Sequence, residues 1–416
     1  MMEESVKKRI EVEKAEKRPV VYAWNEINNE HLSLTLNAFI AALSSMGMFH
    51  QMRSSSRGYS VPDDIGKKAS AKRFAHLCYC IFVVVILLFT FIRMTVSVFV
   101  GEFLTEARFA RILGAGWTFL CLLNGVLSLS WSLRRTGMTA FLKQWTTEQQ
   151  QAFRDIGIHI NVQQLKRKTR LFVALSAIVS SLNFIGLATL TFTDIEVTFR
   201  QVITGPFEST NTAKICLIVS LAVNCYAWVF PMFFFVLLCS FVKDEAAVFN
   251  DKVEETINKK FITIEIDLLR LRRAHTELCK TVFALDSCFR LAILAWLFTN
   301  VAIGCYIAYI LAKTPLNAFG ISLNIFWLST NLIGIGIVST YAALLHDEMH
   351  SSLNHLYDID MSGITQDQMA ELTLFLSRLT GPPIGITAMG IVTIKKELLL
   401  TIAGLYVTYF FLLLEF

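Results

Sequence analysis

The chain is short of charge. Of its 416 residues only 17% are Asp, Glu, Lys or Arg, against 54% hydrophobic. Soluble domains carry about 25% charge, so water-facing domains of ordinary composition are excluded: there is too little polar surface to keep them in solution. Proline and glycine are also sparse, at 7 and 20, which excludes collagen-like and other low-complexity chains. The high apolar content excludes a disordered chain. Nine cysteines offer no disulfide framework. Most lie in apolar runs, where a free Cys acts as a small hydrophobe, and Cys78 and Cys80 are too close for zinc spacing. No cofactor and no metal is expected. The net charge of +5 gives no reason to expect nucleic-acid binding. What remains is a polytopic membrane protein.

Long apolar runs are what the chain has in abundance. A bilayer-crossing helix needs about 20 mostly apolar residues. Seven such runs stand at about 74–97, 110–133, 171–193, 213–241, 289–312, 318–345 and 393–414, which defines an all-α membrane protein with seven transmembrane helices. An eighth stretch, Leu32–Phe49, is short, interrupted by Ser33, Thr35, Asn37, Ser44 and Ser45, and flanked by His31 and His50. It reads as an interfacial or re-entrant helix. The first thirty residues are rich in both Lys and Glu, unlike a secretory signal. Basic residues then follow alternate loops: Lys67, Lys68, Lys72 and Arg73 before run 1, eight Lys or Arg between runs 2 and 3, and eight between runs 4 and 5. By the positive-inside rule the N-terminus is cytosolic and, after seven crossings, the C-terminus is extracellular. The expected organisation is a cytosolic segment over 1–72, a six-helix sensing bundle with cytosolic helical extensions over 73–346, an anchor region over 347–392, and a last span over 393–416.

This orientation opposes that of a G-protein-coupled chemoreceptor, the main alternative, which would need the reversed topology. No Asp-Arg-Tyr closes run 3 and no Asn-Pro-x-x-Tyr lies in run 7. No nucleophile–base pair, Gly-rich phosphate loop or paired in-membrane carboxylates are present, so no enzyme is expected. Below run 5, Leu268, Leu271, His275, Leu278, Val282 and Leu285 recur at alternating spacings of three and four. That is a helical seam with heptad character, and it predicts a long helix packed on neighbours below the membrane. His346 and His350, with His355 further on, follow run 6. An i,i+4 His pair is a metal spacing, but a zincin has Glu directly after the first His and Asp347 stands there. A solvated helix end is the expectation.

The last run carries the strongest pattern. Glu397, Thr401, Gly404, Thr408 and Glu415 are spaced by 4, 3, 4 and 7, one stripe on a helix of period 3.6, with Leu412 continuing the line. In lipid such a stripe must face protein or water. Two readings stand: helix packing through small residues, or a pore wall. The second requires an oligomer around a central axis, because one such helix encloses nothing.

The segment from Thr408-Tyr409 through five hydrophobics to Glu415-Phe416 resembles the terminal signature of the insect gustatory receptor family, which ends Thr-Tyr, five hydrophobics, Gln-Phe. Phe375-Leu376, Pro382-Pro383, Thr387-Ala388, Gly390, Leu398–Leu400 and the helix Leu268–Phe289 also run as in that family. The resemblance covers about 150 C-terminal residues and implies a ligand-gated, non-selective cation channel. It implies a tetramer with the last helix of each subunit lining a central pore, cytosolic helices forming an anchor, and a ligand pocket among spans 1–6 open to the outside. Glu415 replaces the family's Gln and would place a ring of carboxylates at the outer mouth, favouring cations. Phe410 stands where sugar-receptor members carry an acidic residue, so sugar specificity is not expected. In the outer halves of the spans, Trp117, Asn183, Tyr226, Trp228, Asn300, Tyr306 and Trp327, with Thr191, Tyr309 and Asn324, suit a small-molecule cavity or, alternatively, interfacial belts and interhelical hydrogen bonds. The expected partners are a small-molecule tastant or other chemical ligand, permeant cations, the lipid bilayer, and like or related subunits in a homo- or heterotetramer. The expected location is the plasma membrane of sensory neurons. A light- or peroxide-sensing member of the same family and a non-conducting subunit are the remaining alternatives.

Overall fold

The computed structural model describes residues 35–50, 63–99, 105–134, 137–193, 211–258, 264–357 and 365–415. The described residues are helical almost throughout. Helix α1 is Thr35–Ser45, α2 Asp63–Phe99 and α3 Thr105–Leu133. Helices α4 (Met138–Lys143) and α5 (Gln150–Asp155) are joined by a π-helical turn, Gln144–Gln149. Then come α6 Val162–Phe192, α7 Asn211–Asn258, α8 Ile264–Lys313, α9 Ala318–Tyr357 and α10 Gln366–Thr380. A two-strand hairpin, β1 (Thr387–Ala388) against β2 (Val392–Thr393), leads into α11, Lys396–Glu415.

Among the described residues, α2, α3, α6, α7, α8 and α9 are long and apolar enough to cross a membrane. The seventh run forms α11, whose 20 residues span about 30 Å, the thickness of a bilayer core. Their outward faces carry Phe82, Phe89, Ile92, Ile178, Ile185 and Phe298 exposed, an apolar exterior that water would not tolerate over so large an area. Helix α7 is the axis of the bundle. In its most apolar stretch 89% of residues are buried, against 22–39% in the other five. A helix hydrophobic on every side belongs inside. Pro231 interrupts its hydrogen bonding, yet the helix continues to Asn258.

Helices α7 and α8 run on well past their apolar stretches, with 48 and 50 residues or about 72 and 75 Å. With α4, α5, the lower part of α9 and α10 they form a second, lower bundle. All six seam residues, Leu268 through Leu285, are buried there. Across from them Phe141 stacks on Trp145, Trp145 on Phe241 and Phe153 on Phe249. The π turn brings Trp145 and Gln149 onto the buried Glu245 of α7. Its carboxylate accepts from Trp145 Nε1 at 2.8 Å, Gln149 Nε2 at 2.6 Å and Gln150 Nε2 at 3.4 Å. Outer links close the bundle: Lys168 donates to Asp244 and Arg272 Nε pairs with Glu371 at 2.5 Å.

The lower bundle also holds the lead into α11. Asp286 of α8 accepts from the Thr387 backbone N–H at 2.6 Å and its hydroxyl at 2.9 Å. The Met389 N–H donates to the Arg290 carbonyl at 3.0 Å. The hairpin turns at Met389 and Gly390, both at positive φ. His346 and His350 do not end in solvent as expected: His346 Nδ1 donates to the Ile384 carbonyl at 2.9 Å, and His350 Nδ1 to the His346 carbonyl at 2.9 Å. The pair, with the Lys396–Asp347 bridge at 2.7 Å, fastens residues 381–396 to α9.

Candidate functional site: an internal cavity joined to the last helix

Six helices converge on a cavity of about 110 Å³. Helix α2 contributes Thr90 and Arg93, α3 Trp117 and Thr118, α6 Asn183, α7 Trp228, α8 Ile303 and Ile307, and α9 Trp327 and Asn331. Its wall is overwhelmingly apolar and aromatic, with a few convergent polar groups, the pattern of a small-molecule site. The polar groups are pre-set by one another. Trp327 Nε1 donates to Asn183 Oδ1 at 2.8 Å, and the Asn183 amide donates to Cys225 Sγ at 3.4 Å. Arg93 is 6% exposed, a guanidinium sunk in the wall.

Four of the seven expected pocket residues, Trp117, Asn183, Trp228 and Trp327, line this cavity. Tyr226 does not; it is half-buried and packs on Phe230. Tyr306 also lies outside, its ring paired with Tyr309 at 6.2 Å. Thr191 and Asn324 turn back on their own helices, to the Leu187 and Gly320 carbonyls. Asn300 sits one layer behind the wall. The expectation missed Arg93, Thr118 and Asn331. A charge inside an apolar run is costly in lipid and marks a functional position by itself, so Arg93 carried a readable signal. Thr118 and Asn331 carried none, being one among many polar residues in such runs.

Asn331 joins the cavity to the last helix. Its amide donates to Asn300 Oδ1 at 3.0 Å. Its Oδ1 lies 2.9 Å from the Tyr406 hydroxyl of α11, which is also 2.9 Å from the Asn300 carbonyl oxygen. Gly304 makes room: a Cβ there would stand 2.6 Å from the Tyr406 hydroxyl.

Helix α11 packs on α8 and α9 through one face only. Ile402 is buried and Tyr406 and Phe410 are half-buried. Glu397, Thr401, Gly404, Thr408, Leu412 and Glu415 are all exposed. At about 100° per residue the two sets fall on opposite sides of the helix. A Cβ at Gly404 would meet nothing. Tyr409 is half exposed between them. Phe416 lies outside the described residues.

A many-helix bundle with apolar outward faces and an internal apolar cavity, tied to a peripheral helix whose polar side faces outward, defines a multi-pass membrane protein. The description "7tm Chemosensory receptor" matches residues 60–416, and the chain belongs to that family. No curated protein sequence matches it. The fold is similar to the insect olfactory receptor OR5 from Machilis hrabei. In complex with eugenol, OR5 gives a TM-score of 0.71 at 16% identity, covering 93% of this chain and 99% of that one. A second OR5 structure gives 0.68 at 14% identity with the same coverage.

Proposed function

We propose that the protein is a chemosensory receptor acting as a ligand-gated, non-selective cation channel, assembled as a tetramer with α11 of each subunit lining a central pore. The observation that carries this reading is the outward-facing stripe of α11. Glu397, Thr401, Gly404 and Thr408 point away from their own bundle. Polar groups on a membrane helix do not face lipid, so they face other subunits or water. The apolar hairpin agrees: Met389, Ile391 and Val392 are exposed beside the start of α11, as suits a subunit contact. The resemblance of the terminal segment to gustatory receptors supports the same assembly.

In this reading a small, largely apolar ligand occupies the cavity at Trp117, Asn183, Trp228 and Trp327. Arg93 and Asn331 supply donors for a carbonyl, ether or hydroxyl oxygen. The Asn331–Tyr406 contact passes the change in the wall to the pore helix. A ligand that binds the open arrangement better shifts the gate toward it. The N-terminus is cytosolic, the C-terminus extracellular, and the plasma membrane of a sensory neuron is the location. That OR5 is an olfactory receptor solved with eugenol supports a volatile or other chemical stimulus equally with a tastant.

The test is a cysteine scan of α11. Thr401, Thr408 and Leu412 changed singly to Cys should react with a charged thiol reagent and block agonist-evoked current. Leu400 and Val407, exposed but off the stripe, should not. Modification without regard to face would overturn the pore assignment.

A further inference from the structure

Helix α1 is followed by a sharp turn at Gly47, where φ is +70° and a Cβ would stand 2.5 Å from Val83 Cγ2. Only glycine suits that conformation and that close approach. The turn delivers His50 onto α2. There His76 and Cys80, four residues apart, share one helix face. The Nδ1 atoms of His50 and His76 are 3.2 Å apart, and Cys80 Sγ is 3.8 Å from His76 Nδ1. All three ligand atoms lie within 4.8 Å of one another. His50 and Cys80 are buried and His76 is half-buried.

The protonation of His76 is set by its other nitrogen. Nε2 lies 3.1 Å from the Ser44 carbonyl oxygen, which can only accept. Nε2 therefore carries the proton, and Nδ1 presents a lone pair to His50 and Cys80. A histidine that binds metal through one nitrogen commonly donates its other N–H to a backbone carbonyl in this way. The backbone around His50 is also fixed, its N–H donating to Ser132 Oγ at 3.2 Å. The Tyr79 hydroxyl ties α2 to the Ser45 carbonyl at 2.7 Å.

We propose that His50, His76 and Cys80 form a Zn²⁺ site that clamps α1 and its turn to the foot of α2. Zinc–nitrogen bonds near 2.05 Å and zinc–sulfur bonds near 2.3 Å at tetrahedral angles give ligand edges of about 3.3 and about 3.6 Å. The 3.2 and 3.8 Å separations fit those edges, and side-chain rotation closes the third. One thiolate and two neutral imidazoles form a soft donor set that selects zinc over magnesium or calcium. The Cys80 proton leaves to solvent on binding, and a water fills the fourth position. The Cys78–Cys80 spacing hides this site in the sequence, because its other ligands come from His76 on the same helix and from His50 beyond α1.

The experiment uses the purified full-length chain in detergent with Co²⁺ as a spectroscopic probe. The expected result is one Co²⁺ per chain, displaced by Zn²⁺, with visible tetrahedral bands and a near-ultraviolet thiolate-to-cobalt band. Cys80→Ser should abolish that band and Cys78→Ser should leave it. His50→Ala and His76→Ala should each weaken Zn²⁺ binding at least about tenfold, the lower end of the loss seen when even the outer partners of a metal site are removed. Circular dichroism and melting of each variant without metal confirm that it folds. A wild-type chain that gives no thiolate band, or a band that survives Cys80→Ser, would overturn the site. Neither outcome depends on whether the protein conducts ions.

Discussion

Asn331 faces the cavity on one side and Tyr406 on the other, within hydrogen-bond distance of both the Asn300 side chain and the Tyr406 hydroxyl. Tyr406→Phe keeps the ring and removes only the hydroxyl, at a cost of about 1 kcal/mol or about fivefold. The agonist concentration for half-maximal current should shift by about that factor, and equilibrium binding should shift with it, because coupling between cavity and gate is reciprocal. A dose–response curve that Tyr406→Phe leaves unchanged would show that the contact carries no coupling. At the far end of α11, Glu415→Gln should lower inward cation current and relieve block by divalent cations, read from single-channel conductance in symmetric salt. In the lower bundle, burial pushes the Glu245 carboxyl up to about 8, against the pull of its Trp145, Gln149 and Gln150 donors. Burial also holds His275 down to about 4. Both lie beyond the apolar runs. The signs oppose: folded Glu245 keeps a proton that the unfolded chain releases from pH 4.5 upward, so stability falls as pH rises to about 8. Folded His275 refuses a proton that the unfolded chain binds below pH 6.5, so stability falls as pH drops toward about 4. Melting temperature should therefore decline between about pH 6.5 and 8, where only Glu245 contributes of these two. Glu245→Gln should remove that decline; a decline that persists would place its origin elsewhere.

The elements show where the sequence was legible. Seven runs of apolar residues became seven helices, because a bilayer leaves the backbone no other way to satisfy its own hydrogen bonds. The seam of Leu268, Leu271, His275, Leu278, Val282 and Leu285 was legible for a similar reason, since a 3-4 repeat can bury only one helix face. Leu278→Ala should cost about 2–5 kcal/mol and appear as a lower melting temperature with ion selectivity unchanged. The cavity was only half legible. Its lining comes from six helices at positions as distant as 90, 183 and 331, and no spacing rule links residues that meet only through packing. Likewise His346 and His350 gave no sign that a segment some 35 residues later would occupy their nitrogens. The anchor of that segment is testable: Asp286→Ala removes both acceptor contacts to Thr387. Amide exchange over residues 386–394 should then accelerate sharply, with little change in α7.

At the scale of the whole molecule two bundles share two helices. The upper one encloses the cavity, the lower one encloses Glu245 and His275, and α7 and α8 pass through both without a break. A rod of about 72 Å shared by both bundles links a tilt in one to a displacement in the other. On the proposed function, a ligand beside Trp228 that tilts α7 by a few degrees would also displace its end beyond Glu245. In that reading the lower bundle would be a far arm of the sensor, with coupling running in both directions. On the same reading, whatever grips the lower bundle, a binding partner or a change of charge at Glu245, would alter how readily the cavity takes a ligand, and a ligand there would in turn disturb contacts about 26 Å away along α7.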